Sequence, residues 1–147
     1  MAEKSTALEE LVQRVLEAHN NRDAKAAAEY YEEGAVVEEL TLGRSSTDLT
    51  GIRVTCQEWF DAIPDTQVES NAILSAGDRV ALVYTMSGTF RGVLPGLEDA
   101  VIGSRFTVQG CVFWEIGQSG KIIRETGLWD LDSARRQIHG DTTEASS

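Results

Sequence analysis

Two aspartates at the join between a strand and a helix are the first groups in this sequence that could do acid–base chemistry. The stretch RETGLWDLDSARRQI, residues 124–138, alternates like a strand in its first half and like a short amphipathic helix in its second. Asp130 and Asp132 lie between the halves. Strand alternation sends Thr126, Leu128, Asp130 and Asp132 to one face and Gly127, Trp129 and Leu131 to the other. Either aspartate could cap the helix by accepting backbone N–H groups, and Asp132, directly before Ser133, suits that role. Asp130 is then left on a strand beside an apolar neighbour, where desolvation would raise its pKa and fit it for proton transfer.

Other polar groups sit on apolar faces. His19 continues the helical stripe Leu8, Leu11, Val12, Val15, Leu16, either as a hydrogen-bonded core residue or as a donor to a ligand oxygen. Glu38 and Glu39 follow two valines, so one of them leaves the valine face, and an inward glutamate beside a cavity is a candidate base. Tyr84 shares a strand face with Val80, Leu82 and Met86, and Trp114 with Val108, Val112 and Ile116, as core or as pocket wall. Arg105 and Gln109 take the face opposite Phe106 and Val108, toward a substrate carbonyl, solvent or a subunit interface.

Much chemistry is excluded. Two histidines, two isolated cysteines (Cys56 and Cys111) and no HExxH or CxxC argue against a catalytic metal. The sequence has no GxGxxG after a strand, no GxxxxGK[ST] and no GxSxG, so cofactor-free acid–base chemistry or binding alone remains. The formal net charge of −11, with Lys and Arg scattered singly, offers no site for nucleic acid or anionic lipid. MAEKSTALEE has no apolar core of a leader and no segment approaches a membrane span, so a cytoplasmic protein is expected.

The elements that must hold these groups follow in order. A helix is expected over 6–19, opened by a Thr6–Glu9 capping box, and a second over AKAAAEYYEE, capped by Asp23 and ended by Gly34. AVVEEL reads as a strand, TLGRSSTDLTG as a loop bordering a pocket, and IRVTCQEWFDA as a helix stopped by Pro64. TQVESNAILSA and DRVALVYTMSGTF form a hairpin about Gly77-Asp78. VIGSRFTVQGCVFWEI is a long strand, joined by GQSG to KIIRETGLWD. At 147 residues this is one domain, with a polar tail over 139–147 expected to fray. Helices followed by an antiparallel meander predict an α+β fold, a curved sheet closed by N-terminal helices into a cone with an internal cavity.

Several segments in order along the chain resemble the SnoaL-like polyketide cyclases, in the superfamily of α+β cones that includes nuclear transport factor and ketosteroid isomerase. NNRDAKAAAEYYEEGAVVEE is similar to that family's second helix and first strand, WFDAIPD to its aromatic helix, and GDRVALVYTMSGTFRGVLPG to its hairpin and GTxxG segment. GKIIRETGLWDLDSARRQI is similar to its ending, where an aspartate precedes glutamine by seven residues. Aligned on Gln137, that aspartate is Asp130, which the resemblance implies is the acid–base catalyst. The family's GTH is GTF here, with Phe90 in place of histidine, and the tryptophan usual before the end of the last strand is Thr126. His19, Tyr84 or an inward glutamate must then partner Asp130.

The resemblance implies an intramolecular, aldol-type ring closure of an apolar, carbonyl-bearing small molecule without a cofactor, in a homodimer formed through the open sheet face. Asp130 and His19 are the expected catalytic pair, and Glu39, Trp59, Tyr84, Phe90, Trp114 and Leu128 the expected substrate contacts. Two rival readings stay open. Epoxide opening or a pericyclic cyclisation would use the same scaffold, the former favoured by two close inward carboxylates. A non-catalytic binding module is the other, favoured by a filled cavity and an Asp130 engaged in capping.

Overall fold

A computed structural model describes residues 2–139. Helix α1 (Ala2–Asn20) buries Leu8, Val12, Val15 and Leu16 along one stripe. It begins at Ala2, so Thr6 lies within the helix and is not its cap. Asp23 caps the short α2 (Ala24–Ala28) as expected, its carboxylate accepting from the Ala26 N–H at 3.0 Å.

The helix does not continue to Gly34. Tyr31 opens strand β1 (Tyr31–Glu39), with Tyr31 opposite Ile122 and only 4% exposed. Burial of aromatic and β-branched side chains against a neighbouring strand outweighs the helical propensity of the alanine run. The expected loop contains a short strand, β2 (Arg44–Ser46), paired antiparallel to β1. Asp48 then caps α3 (Leu49–Ala62), accepting from Gly51 N–H at 2.6 Å, and the helix stops before Pro64.

Strands β3 (Gln67–Ala76) and β4 (Arg79–Thr89) form the hairpin, turned at Gly77 with φ +62°. Strand β5 (Arg105–Ile116) starts later than expected. Residues 101–104 form a turn instead, with Ser104 N–H donating to Val101 O at 3.0 Å and Gly103 N–H to Phe90 O at 2.7 Å. Strand β6 (Ile122–Trp129) leads into α4 (Leu131–Ile138). Residues 140–147 of the predicted tail lie outside the described residues.

The sheet has the order β2-β1-β6-β5-β4-β3. Its pairings are antiparallel except β1 with β6, which run parallel, so the sheet is mixed and not the purely antiparallel one expected. It is curved and unclosed, and register shifts in the β1–β6, β3–β4 and β5–β6 ladders interrupt them where bending is needed. Helix α1 packs on β3, and α3 on β1 and β2. The core divides in two. One part gathers Val12, Val15, Ile52, Leu82, Trp114 and Ile122; the other gathers Ile63, Phe90, Leu94, Phe106 and Ile138.

Candidate functional site

Where the sheet curves over α1 and α3 it leaves a cavity of about 210 Å³. Val15, Leu16 and Ile52 from the helices, and Leu82, Met86 and Val112 from the sheet, give it apolar walls. Its polar groups are Glu39, Glu125, Tyr31, Tyr84, His19, Cys56 and, on the β2–α3 side, Arg44, Ser46 and Thr55.

Glu125 is the deepest acid. It sits opposite Trp114 in the β5–β6 register, and Trp114 Nε1–H donates to its Oε1 at 2.6 Å. The Tyr31 hydroxyl donates to the same oxygen. Burial raises the Glu125 pKa; the Tyr31 and Trp114 hydrogen bonds oppose the rise, and the charge of Glu39 adds to it. Because both donors occupy Oε1, a proton on this carboxyl belongs on Oε2, the oxygen left for a ligand.

Glu39 ends β1 on the same cavity. Its Oε2 accepts from Thr41 N–H at 2.6 Å and its Oε1 from Leu42 N–H at 3.1 Å, which folds the lip of the cavity around the carboxyl. Burial raises its pKa, opposed by those amides and by Arg44. The lip is pinned to β6, with Trp129 N–H donating to Thr41 Oγ1 at 2.7 Å and Thr41 Oγ1–H to Trp129 O at 3.0 Å. Arg44 is held by Glu58 of α3.

His19 lies edge-on to Phe60 at 5.6 Å, and burial lowers its pKa to about 4, so it is a neutral imidazole near pH 7. Burial pushes the Cys56 thiol up to about 12 and also raises Tyr84, with Glu125 adding to both; neither ionises in ordinary conditions. The Tyr84 ring lies against Gly110, where an added Cβ would come within 2.5 Å of its Oη.

Five expected site residues border this cavity: His19, Glu39, Trp59, Tyr84 and Trp114. Three do not. Asp130 is exposed and caps α4, its Oδ1 accepting from Ser133 N–H at 3.0 Å. The cap therefore belongs to Asp130. Asp132 stands in the first turn of α4, exposed and paired with Arg136. Leu128 is 50% exposed, because Glu125, Gly127 and Trp129 are the residues of β6 that turn inward. Phe90 is 1% exposed and packs on Phe106 at 5.5 Å in the second core, so the position of the family's histidine is filled with apolar packing. Gln137, the anchor of the alignment, holds α4 to β5 by accepting from Thr107 N–H at 2.8 Å and donating to Thr107 O at 3.0 Å.

Sequence reasoning missed Glu125, Tyr31 and Trp129. A usable signal was the short turn GQSGK between β5 and β6, which fixes the register. Once Trp114 is taken as inward, its cross-strand neighbour Glu125 is inward too.

A larger, open depression of about 570 Å³ lies between the α1–α2 turn and α3, bordered by Arg22, Lys25 and Arg53, and contains none of these acids. Among the described residues no group of three or more His, Cys, Asp or Glu is placed to hold a metal ion. No described helix is long and apolar enough to cross a membrane.

A stability measurement reads the state of Glu125. Its folded-state pKa is raised, so its contribution is intact below the ordinary carboxylate pKa and is lost as pH rises through the raised value. Gln keeps the acceptor for Tyr31 and Trp114 but cannot ionise. Urea unfolding from about pH 4 to about pH 8 should therefore show Glu125→Gln gaining on the wild type as pH rises. A pH-independent difference would mean that Glu125 is not perturbed.

Solved structures share this fold at low identity. A Jannaschia protein assigned to the SnoaL-like polyketide cyclases superposes with a TM-score of 0.79 at 17% identity, covering 91% of this chain and 92% of that one. TsrD from Streptomyces laurentii gives 0.77 at 20% identity, with 90% and 95% covered. A Catenulispora acidiphila protein of ketosteroid isomerase-like fold, in complex with trimethylamine, gives 0.76 at 16% identity, with 88% and 92% covered. No curated protein matches the sequence significantly. The profile described as SnoaL-like polyketide cyclase matches residues 9–138, nearly the whole chain. The chain belongs to the SnoaL-like polyketide cyclase family.

Proposed function

We propose that this protein is a cofactor-independent cyclase or isomerase that moves protons on a small, carbonyl-bearing substrate, with Glu125 as acid and Glu39 as base. The family supports a cyclase-type role in general. The observation that carries the finer reading is the arrangement of Glu125, whose Oε1 takes two hydrogen bonds while Oε2 is left for a ligand.

Glu125 Oε2–H donates to the substrate carbonyl oxygen. Glu39 removes a proton from the adjacent carbon, and the resulting enolate attacks a second carbonyl of the same molecule to close the ring. The proton on Glu39 then returns to the new alkoxide. Tyr84 provides a second donor, since its hydroxyl borders the cavity and has no hydrogen-bond partner among the described residues. The apolar walls fold the flexible substrate, which lowers the entropic part of the barrier. The size is modest. A cavity of about 150 Å³ takes one benzene, so by the same proportion 210 Å³ encloses roughly eight non-hydrogen atoms of a bound molecule. The half-reaction is testable without the natural substrate, by following deuterium exchange into the α-carbon of β-tetralone by NMR. No exchange above a heat-inactivated control would refute the proton-transfer role.

Epoxide opening is the second reading, favoured by one observation: two carboxyls line one cavity. Glu125 would protonate the epoxide oxygen while Glu39 activates water. Diol formation from cyclohexene oxide, without tetralone exchange, would select it.

The assembly that fits this function is a homodimer through the outer sheet face. Leu74 and Phe113 lie in one cross-strand row and Val83 and Leu128 in the next, all exposed. Such an apolar patch fits a second copy of the chain. Phe113→Lys should convert a dimer to a monomer in sedimentation velocity; a wild-type monomer would refute this assembly.

A further inference from the structure

Among the described residues, the cavity has acids without a free cation to balance them. Glu125 lies deep in the protein, its two partners are the neutral groups Tyr31 and Trp114, and Oε2 has no partner among the described residues. Glu39 stands close enough to influence it electrostatically. Among the described residues Arg44 is the one cationic side chain on the lining and is held by Glu58, and His19 is neutral near pH 7. Arg44 and Glu58 answer each other, which leaves the Glu39 and Glu125 carboxyls on the lining without a side-chain ion-pair partner among the described residues. Around these groups the wall is aromatic, with Tyr84, Trp59 and Trp129 joining Tyr31 and Trp114. Trp59 and Trp129 meet edge to face at 6.1 Å, which holds both rings in place. Ring faces carry partial negative charge and attract organic cations. Carboxyls and rings therefore favour the same kind of guest, and they disfavour a carboxylate or phosphate.

We propose that the substrate carries a protonated nitrogen, a substituted ammonium group on a compact apolar frame, seated between the Glu39 and Glu125 carboxyls against the aromatic wall. This rests on the reading of the cavity as the active site and narrows its substrate class. One proton shared by the two carboxyls leaves a carboxylate to pair with the ammonium and a carboxylic acid to meet the carbonyl. A cationic substrate thus completes the charge of the site without disabling it.

The test compares three ligands with the same ring: benzyltrimethylammonium, benzyl alcohol and benzoate, titrated calorimetrically into the 147-residue protein near neutral pH. The cation should bind about tenfold or more tightly than the alcohol, and benzoate not at all. Glu125→Gln and Glu39→Gln, each shown to be folded by thermal unfolding, should weaken binding of the cation several-fold more than binding of the alcohol, and so reduce that preference. Alcohol binding equal to or tighter than the cation overturns this inference and leaves the proton-transfer reading standing. Failure of all three to bind overturns both. A cation preference that persists in both variants overturns the carboxylate seat.

Discussion

Glu125→Gln should slow α-proton exchange on β-tetralone by roughly 10²- to 10⁴-fold while the protein stays folded. The substitution is nearly isosteric, and the amide oxygen still accepts from Tyr31 and Trp114, so the strand and the aromatic wall keep their contacts. What disappears is the transferable proton on the second oxygen. An amide N–H still donates a weaker hydrogen bond to the carbonyl, so binding should change less than turnover, giving a fall in kcat with a modest change in KM. Tyr31→Phe offers a graded control. It removes one donor to Oε1, which should raise the pKa of Glu125 further and shift the alkaline limb of the pH–rate profile upward. An unmoved alkaline limb would mean that this limb does not report Glu125.

Gly110→Ala should be the most damaging small substitution at the cavity. Its Cβ would lie 2.5 Å from both Cζ and Oη of Tyr84 and 2.9 Å from Leu128 O. The phenol must swing away or the β5–β6 ladder must part. Overpacking of this kind costs about 1–3 kcal/mol, a fall of several degrees in Tm for a chain of this size. Activity should fall as well, since a displaced Tyr84 no longer points its hydroxyl at the ligand. Differential scanning fluorimetry combined with the exchange assay checks both effects. A variant with wild-type Tm and rate would show that Tyr84 is neither fixed against Gly110 nor needed there.

Much of this architecture was legible in the chain. The stripe from Leu8 to His19, the Asp23 cap, the Gly77-Asp78 turn and the stop at Pro64 are local signals, and each stands where it was expected. The parallel placement of β1 beside β6 was not legible, because it joins segments nearly ninety positions apart and no turn specifies it. The same long-range pairing turned Tyr31, Glu32 and Glu33 from helix to strand. At the site, His19, Tyr84 and Trp114 were found because they sit on strongly apolar faces. Asp130 stands off the cavity for a physical reason: an aspartate before a helix is a good cap, and parity alone does not say which strand face meets the cavity. Only the pairing of Trp114 with Glu125 does.

The central claim is that the working acid is inside the cavity on β6 and not at the start of α4. The most direct measurement sets the initial exchange rate of Asp130→Asn beside that of Glu125→Gln, with both variants verified as folded. Asn is as good a helix cap as Asp, so Asp130→Asn should fold normally and keep a rate within about threefold of the wild type, while Glu125→Gln is nearly inactive. An inactive Asp130→Asn beside an active Glu125→Gln would contradict the account and return the catalytic role to the helix cap.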